Sequence, residues 1–316
     1  MKGVLLVNMG GAASPKELKI FLARMFKDPF ILPFGKVGRT LLSFIISNTR
    51  YKKSWKKYEL IGGSPIIDST EKTVISLQKV LGQDFIVKKA FSYSAPLIKD
   101  SIQSFINDGI KEVTVIPLYP QASISTTSSV EKDINDAVSL NKDIKINFVK
   151  EFYFKDGFVN FWSENIDNHI KKQNYSNPYL MFSAHSIPEN LIEKGDTYSE
   201  TIKASSKAIA EKLGINYEVA FQSGMKTGVW IGPDSKDRLK VLAENGKDEI
   251  VIIPISFVNE NLETLYDLDH DTIPYAKNIL KISNISRVEI PVADPEFIKL
   301  LLYIIEEFSS LDNIKN

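Results

Sequence analysis

The sequence predicts an α/β protein made of two similar doubly wound domains, each with a parallel four-stranded sheet, and three observations support this. Short β-branched runs alternate with longer amphipathic stretches, as they do in βαβ units. Some runs, such as residues 250–253, are apolar throughout, which is typical of strands buried on both faces. Residues 109–117 and 246–254 also repeat one another, which indicates two copies of one unit.

In both copies of this repeat, a glycine and a proline stand at the two ends of a β-branched run of the same length. Upstream of the repeat, residues 90–91 and 220–221 are the same dipeptide, Ala-Phe. Two domains of one topology, with the functional site in the cleft between them, are the simplest account. A chance similarity between two strands is the alternative.

The individual elements follow from the same patterns, taken in chain order. The β-branched and apolar runs predict strands at 3–8, 85–91, 112–118, 144–149, 179–183, 217–221, 249–256 and 287–291. Amphipathic periodicity predicts helices at 15–26, 70–81, 96–107, 197–213, 235–244 and 295–308. Because helices separate most of the strands, the sheets are expected to be largely parallel.

A chain of 316 residues is too long for a typical single core, so two domains are expected. We place the first at residues 1–150 and the second at 151–316. Residues at about 30–60 do not fit the βα alternation and are interpreted as an insertion in the first domain. The last predicted helix, 295–308, is expected to pack back on the first domain.

Composition excludes several classes of function. The chain has 39 basic and 39 acidic residues, and this zero net charge argues against a nucleic-acid partner whose many phosphates must be neutralised. Without cysteine there can be no disulfide, no thiolate nucleophile and no Cys-ligated iron–sulfur cluster. The first apolar run is too short for a signal peptide, and no segment approaches ~20 apolar residues, so a cytoplasmic protein is expected.

Two polar segments, 182–188 and 257–269, each begin where a predicted buried strand ends, which is where open α/β sheets place their ligands. The first segment supplies a lone imidazole, His185. A histidine titrates near neutrality and can act as a general base, although a lone histidine after a strand is more often structural.

The second segment leads into a row of carboxylates, Glu263, Asp267 and Asp271, which are spaced by four residues. On a helix this spacing places them on one face, where they repel one another unless solvent or a cation compensates. Hard oxygen ligands beside an imidazole suit Fe²⁺ or ions similar to Mg²⁺. A solvated acidic helix face is the structural alternative.

Residues 30–58 combine two apolar stretches, 30–34 and 41–46, with a basic and aromatic stretch at 50–58. Basic residues interleaved with aromatic ones can indicate nucleic-acid binding, but the apolar flank favours a hydrophobic lip over a pocket. An ordinary core helix with a solvated basic face is the alternative.

Several motifs, in one order along the chain, resemble those of ferrochelatase, the enzyme that inserts ferrous iron into a porphyrin to complete haem. They lie at residues 4–11, 61–65, 117–121, 125–127, 182–188, 221–223 and 257–269. The resemblance implies a chelatase-like fold with Rossmann-like domains and a bacterial enzyme without an iron–sulfur cluster. It also implies porphyrin and Fe²⁺ as substrates, no prosthetic group, a monomer, and a lip at residues 30–60 that receives porphyrin and can touch a membrane.

The resemblance assigns roles to particular residues. His185 and Glu263 are the catalytic pair, since a porphyrin loses two pyrrole protons as the metal enters. The path of the metal consists of His185, Glu263, Asp267 and Asp271. The residues implied to contact porphyrin, with Met9 beneath the macrocycle and Trp230 at the pocket wall, are Met9, Arg50, Tyr58, Tyr119, Trp230, Phe257 and Asn261.

This chain departs from the family pattern at some positions. Asn261 stands where many members have a second histidine, and an amide does not titrate usefully. Ser92 replaces an arginine expected before Tyr93, and Gly224 replaces a basic residue, so the way in which porphyrin propionates are held is open. Two alternatives therefore stay open: a chelatase for another metal and tetrapyrrole, such as cobalt and a sirohydrochlorin-like ring, and a non-catalytic tetrapyrrole carrier.

Overall fold

The computed structural model describes residues 1–139, 143–224 and 228–310, without the side chains of residues 309 and 310. Residue contacts divide the chain into two units. The first unit contains Met1–Tyr119, Ser123–Glu151 and the described residues from Val292 on. The second unit contains Pro120–Ala122 and Phe152–Pro291.

The first unit alternates strands and helices. Its elements are β1 (Lys2–Asn8), α1 (Pro15–Met25), α2 (Lys36–Leu60), α3 (Ile66–Leu81), a 3₁₀ turn (Gly82–Asp84), β2 (Phe85–Phe91), α4 (Ile98–Asn107), β3 (Glu112–Pro117), α5 (Thr127–Val138) and β4 (Lys145–Phe148). The last helix of the chain, which we label α11 (Pro295–Ser310), contacts α3.

The second unit follows the same alternation and adds a π-helix after its third strand. Its elements are α6 (Asp156–Gln173), β5 (Tyr179–His185), α7 (Glu189–Glu193), α8 (Tyr198–Leu213), β6 (Tyr217–Gln222), α9 (Ser235–Glu244), β7 (Glu249–Ile253), the π-helix (Glu263–Thr272), α10 (Ile273–Asn278) and β8 (Asn284–Arg287).

Among the described residues, each unit has one four-stranded sheet, and the two sheets have equivalent strand orders, β2-β1-β3-β4 and β6-β5-β7-β8. All ladders are parallel, so the predicted fold class is confirmed. In both sheets the order reverses beside the first strand, and this is the position where open α/β sheets bind ligands. The carboxyl ends of β1 and β5 lie at these two positions.

Burial explains why the central strands could be predicted so well. Residues 4–7 of β1 and 250–253 of β7 are fully buried, as expected for strands covered by helices on both faces. The core around the first sheet is completed by α4 and α5, and that around the second by α9 and α10.

The edge strand β8 was predicted wrongly at 287–291, because the apolar residues there suggested a strand. The strand lies instead at Asn284–Arg287. After it, the Val288 N–H donates one hydrogen bond to the Ile252 carbonyl. The Ile290 N–H donates to a carboxylate oxygen of Glu260 rather than to a neighbouring strand. A short edge strand can therefore be polar while the apolar residues after it fill the core.

The helix α2 presents its large apolar side chains outward. Val37 and Phe44 are exposed (84% and 66%), whereas Ser43 is buried and donates to the Ala23 carbonyl on α1 at 2.6 Å. An ordinary core helix would bury these apolar side chains, so α2 differs from one, and the lip stays a prediction. Within the described ranges, every helix is too short or too polar to span a bilayer.

Candidate functional site

The strand β5 ends at His185, which is half-buried and lies opposite Gln222 in the ladder between β5 and β6. The His185 Nδ1 atom is 2.5 Å from the carbonyl oxygen of Ser186. Because a carbonyl oxygen can only accept, Nδ1 must carry the proton in this arrangement. The lone pair of the neutral ring is then on Nε2, and the imidazole is prepared to act as a base.

Two hydroxyl groups fix the backbone at this strand end. The His185 N–H points at the Ser256 hydroxyl at 3.4 Å. The phenol of Tyr198 lies against both groups and is buried. Burial raises the pKa of Tyr198, and the hydrogen bond from Ser256 offsets only part of this effect, so the phenol stays neutral. Sequence analysis missed Ser256 and Tyr198, because neither stands out in the sequence as part of a cluster of titratable residues.

A chain of hydrogen bonds links this strand end to the π-helix. The Ser183 hydroxyl donates to Gln222 Oε1 at 2.6 Å, and Gln222 Nε2 is 3.4 Å from the backbone carbonyl of Glu263. Gln222 is 3% exposed, so its amide is held almost entirely by these partners. Gln222 therefore contacts both the backbone of the His185 strand end and the first residue of the π-helix.

The row of carboxylates lies on the π-helix rather than on the expected α-helix. The N–H of the residue after it, Ile273, donates to the carbonyl of Leu268, five residues back. Glu263 and Asp267 are half-buried, and Asp271 is exposed. The row therefore runs from half-buried positions to the protein surface. π-Helical turns are rare and often occur at functional sites.

The outer carboxylates of the row have different partners. Asp267 accepts a hydrogen bond of 2.6 Å from the Ser223 hydroxyl, and Ser223 adopts a left-handed backbone conformation (φ 63°) that is uncommon for serine. Such strain persists where surrounding structure imposes it, and here it places the hydroxyl on the carboxylate. Asp271 forms an ion pair of 2.8 Å with Lys236.

The acids are successive rather than convergent. In the part of the chain that the structure describes, no three His, Asp or Glu side chains come together in a way that could hold a metal ion.

A buried arginine that sequence analysis missed holds the π-helix in place. Arg287 forms two hydrogen bonds with Asp269, at 2.9 and 2.7 Å, and a third with Glu260 at 2.8 Å. Glu260 also accepts from the Thr264 hydroxyl and from the Ile290 N–H. Burial lowers the pKa of Arg287, but the bonds and charges of Asp269 and Glu260 outweigh it and raise this pKa above its ordinary value.

Asn261 is buried at the start of this helical segment. Its Oδ1 accepts from the Thr264 N–H at 2.9 Å, while the Asn261 N–H donates to the Thr264 hydroxyl at 3.0 Å. This reciprocal pair has the form of a capping box. Its side-chain amide also donates to the Asn259 carbonyl. The amide thus binds backbone groups, and a contact with porphyrin stays a prediction.

Two predicted porphyrin residues lie beside the His185 segment. Trp230 is half-buried in a short stretch that pairs with residues 187–189, directly after His185. The Ser186 hydroxyl donates to the carbonyl of the residue after Trp230 at 2.7 Å. Phe257 is half-buried and adjoins Ser256, which lies under the His185 backbone.

In the first unit, Met9 and Tyr119 follow β1 and β3 at the carboxyl edge of the sheet. Both are half-buried, and the Met9 carbonyl accepts from the Tyr93 N–H at 3.1 Å. Burial raises the pKa of Tyr119, and a hydrogen bond from Ser92 lowers it in part. Ser92, which replaces the expected arginine, therefore contacts a predicted porphyrin residue.

Arg50 and Tyr58 do not share a surface, although both lie on α2. Arg50 is exposed, whereas Tyr58 is buried and stacks on Trp55 with the ring centres 6.2 Å apart. A direct contact between Tyr58 and porphyrin stays a prediction, and the buried position favours a packing role for this ring.

A second group of acids lies near Tyr93, whose hydroxyl donates to Asp28 at 2.8 Å. Burial raises the pKa of Asp133 on α5 to about 6, with a partial opposing effect of Lys132 and additional repulsion from Asp28. In the unfolded chain an aspartate titrates near ~3.9, so the folded state binds more protons between these two values. This group thus favours folding at low pH.

We expect the stability contributed by Asp133 to be lost as pH rises from about 4 to about 6, and Asp133→Asn to remove this loss. The variant should be more stable than the parent at pH 7.5, by at most about 1 kcal/mol because the carboxylate is 38% exposed. Urea unfolding at pH 4.5 and 7.5 measures this, with the exposed neighbour Asp136→Asn as control. An equal difference between variant and parent at both pH values would contradict the expectation.

Comparison with known proteins agrees with the motifs. A family model described as Ferrochelatase matches residues 1–308. A ferrochelatase of Aquifex aeolicus (strain VF5) is 36% identical over 307 residues, which cover 95% of this chain and 97% of the relative. A ferrochelatase of Campylobacter concisus (strain 13826) is 34% identical over 313 residues, which cover 95% and 96%.

Solved structures with the same fold include SirB from Bacillus subtilis with Fe³⁺, which has a TM-score of 0.59 at 12% identity and covers 97% of this chain and 95% of its own. CbiX, described as the terminal enzyme for biosynthesis of siroheme in denitrifying bacteria, has a TM-score of 0.52 at 14% identity, with coverages of 97% and 99%. At these identities both structures show the fold alone. The family model and the closer relatives together establish that the chain belongs to the ferrochelatase family.

Proposed function

We propose that this protein inserts Fe²⁺ into protoporphyrin IX or coproporphyrin and so forms haem. The reaction exchanges two pyrrole protons for one Fe²⁺ ion, so the enzyme must remove protons from the ring. The observation that supports the proposal most strongly is the bond from His185 Nδ1 to the Ser186 carbonyl, because it leaves Nε2 as a base at the carboxyl end of a central strand.

The acidic row delivers the metal in this proposal. Its carboxylates run from exposed Asp271 to half-buried Glu263, and oxygen ligands of this kind suit Fe²⁺. In this proposal the ion passes from one carboxylate of the row to the next.

We propose that Met9, Tyr119, Trp230 and Phe257 contact porphyrin, as the family resemblance implies. The supporting observation is that all four are half-buried, and that Met9, Tyr119 and Phe257 lie one to four residues after strand ends. Aromatic side chains in this setting can stack on a macrocycle. Phe257 and Trp230 also adjoin the segment that carries His185.

The exposed apolar face of α2, together with Phe34 before it, is proposed as the lip that receives porphyrin. Lysines at 52, 53, 56 and 57 follow on the same helix. Apolar side chains beside lysines also suit peripheral contact with a membrane surface. We propose a monomeric cytoplasmic enzyme that makes such contact.

A single assay separates this function from its alternatives. Purified protein is incubated anaerobically with Fe²⁺ or Zn²⁺ and either protoporphyrin or coproporphyrin, and in a parallel reaction with Co²⁺ and a sirohydrochlorin-like ring. Metallation is followed by absorbance. Turnover with Fe²⁺ supports the proposal. Binding of porphyrin without turnover would instead support a tetrapyrrole carrier. Turnover of Co²⁺ with a sirohydrochlorin-like ring alone would support the other chelatase, which the ferrochelatase relatives do not favour.

Among single changes in the acidic row, we expect Glu263→Gln to reduce kcat more than Asp267→Asn or Asp271→Asn. Glu263 is the residue whose backbone is tied through Gln222 to the His185 strand end, so it should act nearest the ring. The two outer changes should mainly raise the apparent KM for the metal. Steady-state kinetics with varied Fe²⁺ measure both parameters, and negligible effects of all three changes would indicate a merely solvated acidic face.

A further inference from the structure

The exposed end of the acidic row carries a lysine that no motif identifies. Lys236 Nζ donates to Asp271 Oδ1 at 2.8 Å and lies 5.2 Å from the centre of the Tyr275 ring. Lys236 is the second residue of α9, and its N–H donates to the capping carboxylate of Asp234 at 2.8 Å. The backbone of Lys236 is therefore held by the helix cap, and its ammonium group extends to the π-helix.

The position of this ion pair matters for a cation that enters from solvent. Asp271 is the exposed member of the row and is where such a cation meets it first. The neighbouring Asp267 accepts from the neutral hydroxyl of Ser223, whereas Asp271 accepts from a charged ammonium group. A carboxylate oxygen that binds an ammonium group cannot at the same moment bind a metal ion with full strength.

We propose that Lys236 is a tethered competitor for the metal at Asp271 and thereby sets the concentration of Fe²⁺ that the enzyme requires. This inference rests on the proposed function and deepens it by naming a residue that controls metal uptake. The side chains of the pair are 35% and 55% exposed, and ion pairs at such positions are weak. A divalent cation can therefore displace the ammonium group, but only at a cost in apparent affinity.

Because Lys236 contacts only the outer end of the row, its removal should change metal uptake and leave the chemical step alone. We expect Lys236→Met to lower the apparent KM for Fe²⁺ and for Zn²⁺ by about three- to tenfold, with kcat changed by less than about twofold. Lys236→Arg keeps the cation and should keep the KM of the parent. The effect of Lys236→Met should shrink as salt screens the charges.

Lys240→Met is the matched control, since Lys240 lies one turn further along α9 and its substitution removes the same charge. It should change the metal KM by less than about twofold. In an Asp271→Asn background, Lys236→Met should have little further effect, because the carboxylate for which the two cations compete is gone.

A titration with Mn²⁺ alone, without porphyrin, tests the inference independently of turnover. Lys236→Met should bind Mn²⁺ more tightly than the parent and than Lys240→Met. If the parent metallates no porphyrin, the proposed function fails, and the Mn²⁺ titration still decides the role of Lys236. Equal Mn²⁺ affinities in the three proteins, or equal metal KM values in active Lys236→Met and Lys240→Met, would overturn the inference.

Discussion

Replacement of His185 by alanine should reduce metallation about 10²- to 10⁴-fold, which is the usual loss when a general base is removed. Porphyrin should still bind, since the proposed stacking residues are unchanged. The loss of metallation is expected because the hydrogen bond from His185 Nδ1 to the Ser186 carbonyl leaves Nε2 free to accept a pyrrole proton. Single-turnover absorbance measurements of metallation and of porphyrin binding separate the two effects.

Two further variants test the role of His185 as a base. In His185→Asn the amide nitrogen can still donate to the Ser186 carbonyl, but the base is absent, so its activity should be as low as that of the alanine variant. His169→Ala is the control. It removes a histidine whose Nε2 atom lies 2.8 Å from the Ser286 hydroxyl oxygen, and it should keep near-normal turnover. Recovery of most activity in His185→Asn would show that the ring only orients the strand end.

The repeated strand pattern of this chain was predictable because it depends on local composition. Runs such as residues 4–7 and 250–253 are fully buried, and burial on both faces requires apolar residues without interruption. The equivalent strand orders of the two sheets agree with the repeat at 109–117 and 246–254. The edge strand β8 escaped prediction because an edge position needs less apolar sequence.

The site was predictable only in part. The sequence indicates its titratable residues, but it does not indicate the residues that hold them in place through hydrogen bonds. His185 and the acidic row stand out as titratable groups after strands. Ser256, Gln222 and Ser223 act through hydrogen bonds between distant segments. Gln222 and Ser223 belong to a family motif at 221–223, but neither residue type indicates by itself which distant group it binds.

The π-helix was equally hidden, because a spacing of four residues fits either helix type on one face. The π-helix is distinguished from an α-helix here by the way its two ends are anchored. Asn261 caps the start through Thr264, and Arg287 holds both Glu260 before the helix and Asp269 within it. The contacts of Arg287 join residues more than fifteen positions apart in sequence, so no local pattern contains them.

The largest effect on stability is expected from the loss of Arg287. Its side chain is 3% exposed and binds two carboxylates, so Arg287→Met leaves Glu260 and Asp269 without their cation. Breaking a buried pair in this way typically costs about 3–5 kcal/mol in the free energy of unfolding. Urea unfolding of parent and variant measures the loss.

Arg238→Met is the matched control for this expectation. Arg238 also forms two hydrogen bonds with one carboxylate, that of Glu218, but the two side chains are 29% and 21% exposed. Its loss should cost only about 1 kcal/mol or less, because the Arg238 side chain is much more exposed than that of Arg287 and binds one carboxylate rather than two. Equal costs for Arg287→Met and Arg238→Met would show that burial does not determine the strength of these pairs.

A triple variant separates the loss of the cation from the loss of packing. If uncompensated charge is the main cost, then Arg287→Met combined with Glu260→Gln and Asp269→Asn should recover much of the stability, because neutral amides are less costly to bury. The π-helix should nevertheless be held less firmly, since an amide cannot replace the two parallel bonds from Arg287 to Asp269. We therefore expect the triple variant to fold but to show a raised KM for the metal. Recovery of both stability and KM would mean that Arg287 serves folding alone.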